Sequence, residues 1–482
     1  MDPAAFRRHG HELVDWIAEY LEHPEKYPIL ARAKPGDITS ALPTSAPEDP
    51  ESFGAIMADF ERVLVPGLTH WNHPGFLGYF AITASAPGVL AEFLSAALNQ
   101  QAMLWRTSPA ATELEGVALG WLRQLLGLPD AFEGVIYDTA SISTLHALAG
   151  AREIAVQDVR DEGLAGRADI PAMRIYCSEE AHSSVDKAAI AIGLGQHSIC
   201  RVPMDEAFRL RVDALRDCVA RDRAAGVLPI AVVATVGTTS TTSIDPVSPI
   251  ADLCERERLW LHVDAAYGGV AAMLPSHAHV FRGAGRADSI VVNPHKWLFT
   301  PFDLSAFYCR RMDVVRHAFA LTPAYLKTPG DGTESDPHGV RNLMDTGVPL
   351  GRRFRALKLW MILRSFGARG LREHLARHIA LAQQFAEWVD ADQDFERLAP
   401  VPLSVVCFRW KPAGSRWTDD ELDRANERLL NLVNATGDVF LSHTRIHGRV
   451  ALRVAIGHVN TTEQHVRRAW TLLHDIAETL RS

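Results

Sequence analysis

Five short apolar segments, separated by helix-like sequence, constrain the fold of this 482-residue chain more than any other feature. The segments are GVIYDTA, MRIYC, PIAVVATV, LWLHVDAA and SIVVNP. Each is nearly continuous in apolar residues, which predicts strands that are buried on both faces. Such strands, when they alternate with helices, favour a mostly parallel central sheet that is covered by helices. The sequence therefore predicts an α/β fold.

The pattern along the chain predicts three structural regions, in keeping with a length too great for one ordinary core. Residues 1–85 combine helical patterns with a proline-rich connector and show no compact core, so we expect this segment to pack on another surface. Residues 86–355 hold the strand pattern and form the large domain. Residues 356–482 begin with a long helical stretch broken at its glycines, followed by strand-like pieces and a terminal helix. This order predicts a small α+β domain.

Composition excludes several classes of protein. The net charge is −9 without a basic block, which argues against nucleic acid or an anionic membrane as a partner. No segment has the length of apolar sequence that a membrane span or a signal peptide needs. Six cysteines without a CxxC pair favour reduced thiols in a cytoplasmic protein.

One histidine pair raises the possibility of a metal site. His374 and His378 lie four residues apart on a predicted helix, and this spacing presents both on one face. No acidic third ligand and no catalytic glutamate accompany them, so we expect a solvated helix face and no metal.

Polar side chains also fall where predicted strands end, at the edge where open α/β sheets bind their ligands. Asp264 ends LWLHVD, and a carboxylate there needs a partner because its desolvation is costly. That partner is either a helix end or an arginine, or else a buried cation such as a protonated heterocyclic nitrogen. Lys296, in NPHK, is either a solvated loop residue or a desolvated amine that can attack carbonyl carbon.

Two further segments have the same position. Thr139 and Ser141 precede a long helix, where hydroxyl groups either cap the helix or bind phosphate. His182 precedes a second helix, which we expect Ser183 or Ser184 to cap. Each signal alone is modest, but together they fit pyridoxal 5′-phosphate (PLP). This cofactor needs a lysine, an acid at its pyridine nitrogen and a phosphate site.

Longer motifs carry a family resemblance. NPHKWL, HVDAAYGG, ATVGTTSTTSID, EEAHSSVDKA and THWNHPGFLGYF resemble the group II PLP-dependent decarboxylases, most closely the aromatic-L-amino-acid decarboxylase branch. The resemblance extends from FRRHGHELVDWIAEYLE near residue 6 to LRVAIGHVNTTEQHVRRAW and covers almost the whole chain. It implies fold type I and α-decarboxylation of an L-amino acid to an amine. It also implies a homodimer in which PLGRR, near Gly351, reaches the partner's cofactor site.

The resemblance further implies a role for individual residues. Lys296 would bind the cofactor covalently, and Asp264 would keep its pyridine nitrogen protonated. His182 would stack on the ring, and Tyr325, in a loop rich in glycine, serine and proline, would donate the proton to the product. The residues implied around the phosphate and in the cofactor pocket are Thr139, Ala140, Ser141, Thr239, Asn293 and His295. The residues implied to contact substrate are Trp71, Tyr79, Phe80, Met103 and His182.

The sequence departs from the animal decarboxylases in places that concern specificity. DTA replaces a typical GSA in the phosphate segment, and the loop around Tyr325 is a few residues longer. Gln101 and Met103 stand where more apolar or aromatic residues are expected. The preferred substrate among tryptophan, phenylalanine, tyrosine and their hydroxylated forms is therefore left open.

Three alternatives remain at this stage. The first is an aromatic aldehyde synthase, whose members typically replace the loop tyrosine or the ring-stacking histidine. The second is a decarboxylase of a non-aromatic amino acid such as glutamate. The third is a non-catalytic homologue, which is expected to have lost Lys296 or Asp264. Tyr325, His182, Lys296 and Asp264 are all retained here.

Overall fold

The computed structural model describes residues 1–321 and 342–481. Within these ranges the α-helices are α1 (Pro3–Glu22), α2 (Asp37–Ala41), α3 (Phe53–Asp59), α4 (Ala86–Leu98), α5 (Pro109–Leu125), α6 (Ala140–Ala155), α7 (Val159–Glu162), α8 (Ser184–Ala191), α9 (Val212–Ala224), α10 (Val247–Glu257), α11 (Pro294–Trp297), α12 (Met312–Phe319), α13 (Ala356–Ala391), α14 (Asp419–Ala435) and α15 (Glu463–Arg481). The strands are β1 (Phe76–Leu77), β2 (Glu133–Tyr137), β3 (Met173–Ser178), β4 (Ile199–Val202), β5 (Leu228–Thr235), β6 (Trp260–Asp264), β7 (Ser289–Val292), β8 (Ser305–Cys309), β9 (Phe395–Arg397), β10 (Val405–Trp410), β11 (Phe440–Ile446) and β12 (Arg449–Ala455).

The chain divides into two compact units. The larger unit comprises Ile82–Ala386 and Arg397–Cys407. The smaller unit comprises Met1–Ala81, Glu387–Glu396 and Phe408–Ser482.

A seven-stranded sheet, in the order β2-β8-β7-β6-β5-β3-β4, forms the centre of the larger unit. Neighbours from β7 to β4 pair in parallel, whereas β8 is antiparallel to both β2 and β7. All five predicted segments contain strands, and the prediction of a mostly parallel sheet is confirmed. β4 and β8, of four and five residues, lie outside those segments.

The direction of the strands brings several of their ends together. Because β8 is antiparallel to β2 and β7, the strands β2, β3, β5, β6 and β7 all end at the same edge of the sheet. Thr235 at the end of β5 pairs with Asp264 at the end of β6, and Asp264 pairs with Val291 of β7. The predicted site residues that follow these strands therefore share one edge.

A five-stranded sheet, in the order β1-β11-β12-β10-β9, lies mainly in the smaller unit. β11 and β12 form an antiparallel hairpin. His447 and Gly448 join them with φ of 49° and 78°, as a two-residue type I′ turn requires. β1 pairs in parallel with β11, with Phe76 opposite Phe440.

The long helix α13 corrects one expectation and confirms another. Gly367 has φ 62° and ψ 167°, which breaks the helix at a glycine as predicted. The prediction of a solvated face for His374 and His378 is wrong. His378 is fully buried, and His374 packs on Phe299 with ring centroids 5.2 Å apart. The face that carries both histidines covers aromatic side chains, and spacing alone could not reveal this.

Three further findings concern the described part of the chain. Among residues 1–321 and 342–481, no group of three or more histidine, cysteine or acidic side chains could hold a metal ion. In the same ranges no helix has both the length and the apolar character needed to cross a membrane. All six cysteines are free thiols.

Buried histidines should make the free energy of unfolding depend on pH. Burial lowers the pKa of five histidines from 6.5 to about 3 or about 4; they are His73, His146, His262, His295 and His458. Below pH 6.5 the unfolded chain takes up protons at these positions, whereas the folded chain does not until about pH 4. The free energy of unfolding should therefore fall as pH drops from 6.5 to 4, by at most about 1.4 kcal/mol per pH unit for each histidine.

We expect His262→Asn to reduce this pH dependence by the equivalent of about one proton. The measurement is denaturant unfolding between pH 7 and pH 5. His197 is exposed, and His197→Asn serves as the control that leaves the slope unchanged. An unchanged slope in His262→Asn would contradict the assignment of a buried neutral imidazole.

Candidate active site

Lys296 lies in the four-residue helix α11, which follows the buried strand β7 after one residue. Its backbone N–H donates to the Asn293 carbonyl at 2.9 Å, and its residue surface is only partly exposed. Burial lowers the pKa of the Lys296 ammonium, while the negative charge of Asp264 acts in the opposite direction. A lowered pKa increases the fraction of neutral amine, which is the nucleophilic form. This environment is that of a desolvated amine.

Asp264 is the last residue of β6 and is 6% exposed. Its Oδ1 accepts a hydrogen bond from the Ala266 N–H at 3.1 Å, within its own turn. No arginine in the part of the chain that the structure describes forms an ion pair with it. Of the two structural alternatives, an arginine partner is therefore not observed, whereas the Ala266 N–H provides a local backbone partner for one carboxylate oxygen. A buried carboxylate with this environment favours a cationic group beside it.

His182 lies between β3 and α8, and its surface is exposed. Its Nδ1 accepts from the Ser184 N–H at 3.1 Å, so the neutral ring carries its proton on Nε2. Partial burial lowers the pKa of His182, Asp264 raises it and Lys296 lowers it. The three side chains are thus electrostatic neighbours. The predicted capping of α8 by a serine side chain is wrong, because His182 supplies the acceptor instead.

Helix α6 begins two residues after Asp138, at the end of β2. Thr139 occupies the N-cap position, but its hydroxyl makes no capping hydrogen bond. The Thr139 N–H donates to Oδ1 of Asp138 at 2.6 Å. The aspartate of DTA therefore already accepts a hydrogen bond from one backbone N–H group at this end of the helix. The N–H groups of Ala140 and Ser141 have no intrahelical acceptor, because they belong to the first turn. This 16-residue helix therefore presents backbone donors and its positive dipole end to an anion.

Asn293 and His295 follow β7, at the same edge of the sheet. His295 is 3% exposed, and its Nδ1 accepts from the Leu304 N–H at 2.9 Å, which leaves the proton on Nε2. Burial, followed by the charge of Lys296, lowers the pKa of His295 to about 3. The Asn293 N–H donates to the Ala266 carbonyl at 3.1 Å.

Several buried polar atoms at the sheet edge have no hydrogen-bond partner within residues 1–321 and 342–481. They are Oδ1 of Asn293 and the hydroxyl oxygens of Ser178, Ser184 and Thr235. Ser178 and Thr235 each end a strand, β3 and β5. Buried polar groups normally have a partner, so their concentration at one edge indicates a polar ligand. The hydroxyls of Ser178 and Thr235 were not predicted, since their only signal in the sequence is a polar residue at the end of an apolar run.

These residues fit PLP. A desolvated amine, a buried carboxylate, an imidazole ring and a helix start with open backbone donors are the groups that this cofactor requires. Thr239, also implied in the pocket, is exposed in the turn after β5. That turn depends on Gly237, which has φ +91° and whose Cβ, if present, would lie 2.9 Å from the Gly268 nitrogen.

The residues implied to bind substrate lie in both units. Trp71, Tyr79 and Phe80 belong to the smaller unit. The rings of Trp71 and Tyr79 stack with centroids 5.6 Å apart and planes at 19°. The Arg453 guanidinium lies 5.6 Å from the Phe80 ring centre. Tyr79 is 53% exposed, so this cluster presents an aromatic surface.

Met103 belongs to the larger unit, where it packs against Leu104 and Met344. The Gln101 Oε1 accepts from the Arg352 N–H at 2.6 Å, which explains why an amide suits this position. Tyr325 lies outside the described residues.

Comparisons with known proteins agree with this chemistry. Residues 35–411 match the family model of the pyridoxal-dependent decarboxylase conserved domain. The chain is 38% identical to aromatic-L-amino-acid decarboxylase of Sus scrofa, covering 100% of this chain and 98% of that relative. It is 37% identical to phenylacetaldehyde synthase of Arabidopsis thaliana, covering 100% and 97%. Among solved structures, Oryza sativa TDC with PLP and tryptamine is similar with a TM-score of 0.94 and 35% identity, covering 100% and 99%.

Proposed function

This chain belongs to the pyridoxal-dependent decarboxylase family and is a PLP-dependent carboxy-lyase, and we propose that it converts aromatic L-amino acids to the corresponding amines and CO2. The observation that best supports a working site is the placement of Lys296 and Asp264 at the ends of the adjacent strands β7 and β6. The lowered pKa of the Lys296 amine suits it for covalent chemistry with an aldehyde.

Bound PLP supplies the electron sink that accepts the electron pair of the Cα–carboxylate bond. We propose that Lys296 attaches this cofactor and that Asp264 keeps its pyridine nitrogen protonated by charge pairing. His182, held by its hydrogen bond to the Ser184 N–H, would pack against the ring. The start of α6, together with Asn293 and His295, would hold the phosphate, and Thr239 would line the pocket.

Two observations support an aromatic substrate. Trp71 and Tyr79 form a stacked pair with Tyr79 exposed, and an aromatic side chain packs favourably on such a surface. The relatives reported above, of similar length, have names or bound molecules that refer to aromatic substrates or products. We propose that Trp71, Tyr79, Phe80 and Met103 contact the substrate side chain.

A panel of amino acids tests this proposal. We expect amine release from tryptophan, phenylalanine, tyrosine or a hydroxylated form, and none from glutamate, when each is supplied with PLP. Amine and CO2 are quantified together. Preferential decarboxylation of glutamate would contradict an aromatic specificity while leaving the family assignment intact.

An aromatic aldehyde synthase is the second candidate, favoured by the similarity to phenylacetaldehyde synthase. Such an enzyme consumes the amino acid, oxygen and water and releases aldehyde, CO2, ammonia and hydrogen peroxide. Retention of Tyr325 and His182 favours the amine as the product. The same panel separates the two functions when oxygen uptake and peroxide are recorded beside amine.

We propose that Tyr325 donates the proton to Cα after CO2 has left. Tyr325→Phe keeps the aromatic ring and removes only the hydroxyl, so PLP binding and substrate affinity should change little. Decarboxylation needs no proton from Tyr325, but the decarboxylated substrate should then persist long enough to react with oxygen. The product should shift from amine to aldehyde, ammonia and peroxide in air. The measurement is the product ratio in air and under nitrogen.

Release of amine at the parent rate without oxygen uptake would contradict this role. His182 would then be the first candidate for the proton donor, because it neighbours Asp264 and Lys296.

We further propose a homodimer in which residues 1–85 pack on the partner subunit. Within the smaller unit, no residue of the 20-residue helix α1 is buried. Contacts within its own chain therefore contribute little hydrophobic burial to stabilise this helix. Within the larger unit, α4 exposes Leu90, Phe93, Leu94 and Leu98, which share one face at helical spacing. An exposed apolar stripe of this kind is typical of an interface. The loop at Gly351 is expected to approach the partner's cofactor site.

Sedimentation velocity tests the dimer. The parent should sediment at about twice the 53.1-kDa chain mass. Leu94→Glu should shift it toward monomer and lower activity, because a charge on the stripe must be desolvated. Leu432→Glu is the matched control, since Leu432 is a 40% exposed leucine of α14. A fully active monomeric parent would refute the proposal.

We also propose a cytoplasmic location. All six cysteines are free thiols, which suits a reducing compartment.

A further inference from the structure

Four buried side chains beside the site form one connected group. Trp297 directly follows Lys296, and Tyr267 lies three residues after Asp264. The rings of Trp297 and Tyr267 stack with centroids 4.8 Å apart and planes at 6°. The Trp297 indole N–H donates to Nδ1 of His378 on α13 at 2.9 Å, and the Tyr267 hydroxyl lies 2.5 Å from the Ser404 hydroxyl.

The burial of this group is nearly complete. Trp297, His378 and Ser404 are 0% exposed, and Tyr267 is 2% exposed. A buried indole N–H needs an acceptor, and leaving it without one costs the desolvation of that group. The hydrogen bond also requires an unprotonated Nδ1, so His378 holds its proton on Nε2. Burial and hydrogen bonding therefore hold these four side chains in one orientation relative to each other.

These contacts of Trp297 affect the direction in which the Lys296 side chain points. The helix α11 has only four residues and no stability of its own, so packing must fix its orientation. Consecutive residues on a helix point about 100° apart, so an indole held in place fixes the direction of the preceding side chain. Trp297 is held by a hydrogen bond and a stacked ring, so it can fix the direction of the Lys296 side chain in this way.

The same contacts connect Lys296 to Asp264. Tyr267 belongs to the turn that leaves β6 after Asp264, and Trp297 belongs to the helix that follows β7. Their stacked rings join these two turns beyond the last register pair, Asp264 with Val291. Distances between groups on the two turns therefore depend on this stack.

We propose that Trp297, Tyr267 and His378 are positioning residues that hold Lys296 and Asp264 at the separation the cofactor needs. They act through Lys296 and Asp264, since the indole, the phenol and the imidazole are buried. The inference rests on the proposed roles of Lys296 and Asp264 and adds the group that sets their geometry.

Three variants test the positioning role. Trp297→Phe keeps a ring for the stack but removes the N–H, and His378→Leu removes the acceptor. We expect both to weaken PLP binding about tenfold and to lower kcat about 10- to 100-fold, because small misplacements of reacting groups have effects of this size. His378→Asn keeps an acceptor near the Nδ1 position and should stay close to the parent. PLP affinity is measured by titrating the apoprotein and following absorbance.

A matched control lies at the opposite edge of the same sheet. Trp260, at the start of β6, donates its indole N–H to the Ser289 hydroxyl at 2.9 Å and is 4% exposed. Trp260→Phe removes the same kind of buried hydrogen bond, so it should lower the Tm as Trp297→Phe does. It should leave PLP affinity and kcat unchanged. This contrast separates positioning from general stability.

Two outcomes overturn the proposal. One is parental PLP affinity and kcat in both Trp297→Phe and His378→Leu. The other is an equal loss of PLP affinity in Trp260→Phe and Trp297→Phe. Borohydride reduction of the parent distinguishes this failure from failure of the proposed function. If the cofactor is fixed on Lys296 and the variants bind like the parent, only the positioning role is wrong.

Discussion

The electrostatic relation between Lys296 and Asp264 is the constraint on which the rest of the site depends. Asp264 ends and Lys296 closely follows a strand that is buried on both faces, so water does little to stabilise their charges. Burial favours the neutral amine, and the carboxylate opposes that effect. In the function proposed above, the family's cofactor would resolve the conflict, because it would combine with the Lys296 amine and provide a cationic nitrogen for Asp264. The site therefore has a chemical reason for placing two costly groups together.

The fold explains how such a pair arises from residues 32 apart. β6 and β7 are adjacent and parallel, so their carboxyl ends lie side by side at one edge of the sheet. β2, β3 and β5 end at the same edge, which adds the start of α6, His182 and the hydroxyls of Ser178 and Thr235. A parallel sheet thus converts separate strand ends into one site.

Sequence reasoning predicted the features that depend on strands and their ends. The apolar segments predicted five strands of the central sheet, and the polar residues near the ends of four of them predicted the edge where Asp264 and Lys296 lie. Contacts made by helices packed from elsewhere could not be predicted in the same way. The spacing of His374 and His378 was visible, but the identity of the surface beneath them was not, because Trp297 lies 81 residues away from His378. The capping of α8 by His182 was missed for a similar reason, since serine is the usual N-cap.

Covalent attachment of the cofactor to Lys296 is the central claim, and peptide mapping tests it most directly. The holoprotein is reduced with borohydride and digested, and the labelled peptide is sequenced by mass spectrometry. We expect one pyridoxyl label, on Lys296, and no label in Lys296→Ala. A label on another lysine such as Lys187 or Lys358, or a label that survives in Lys296→Ala, would contradict it.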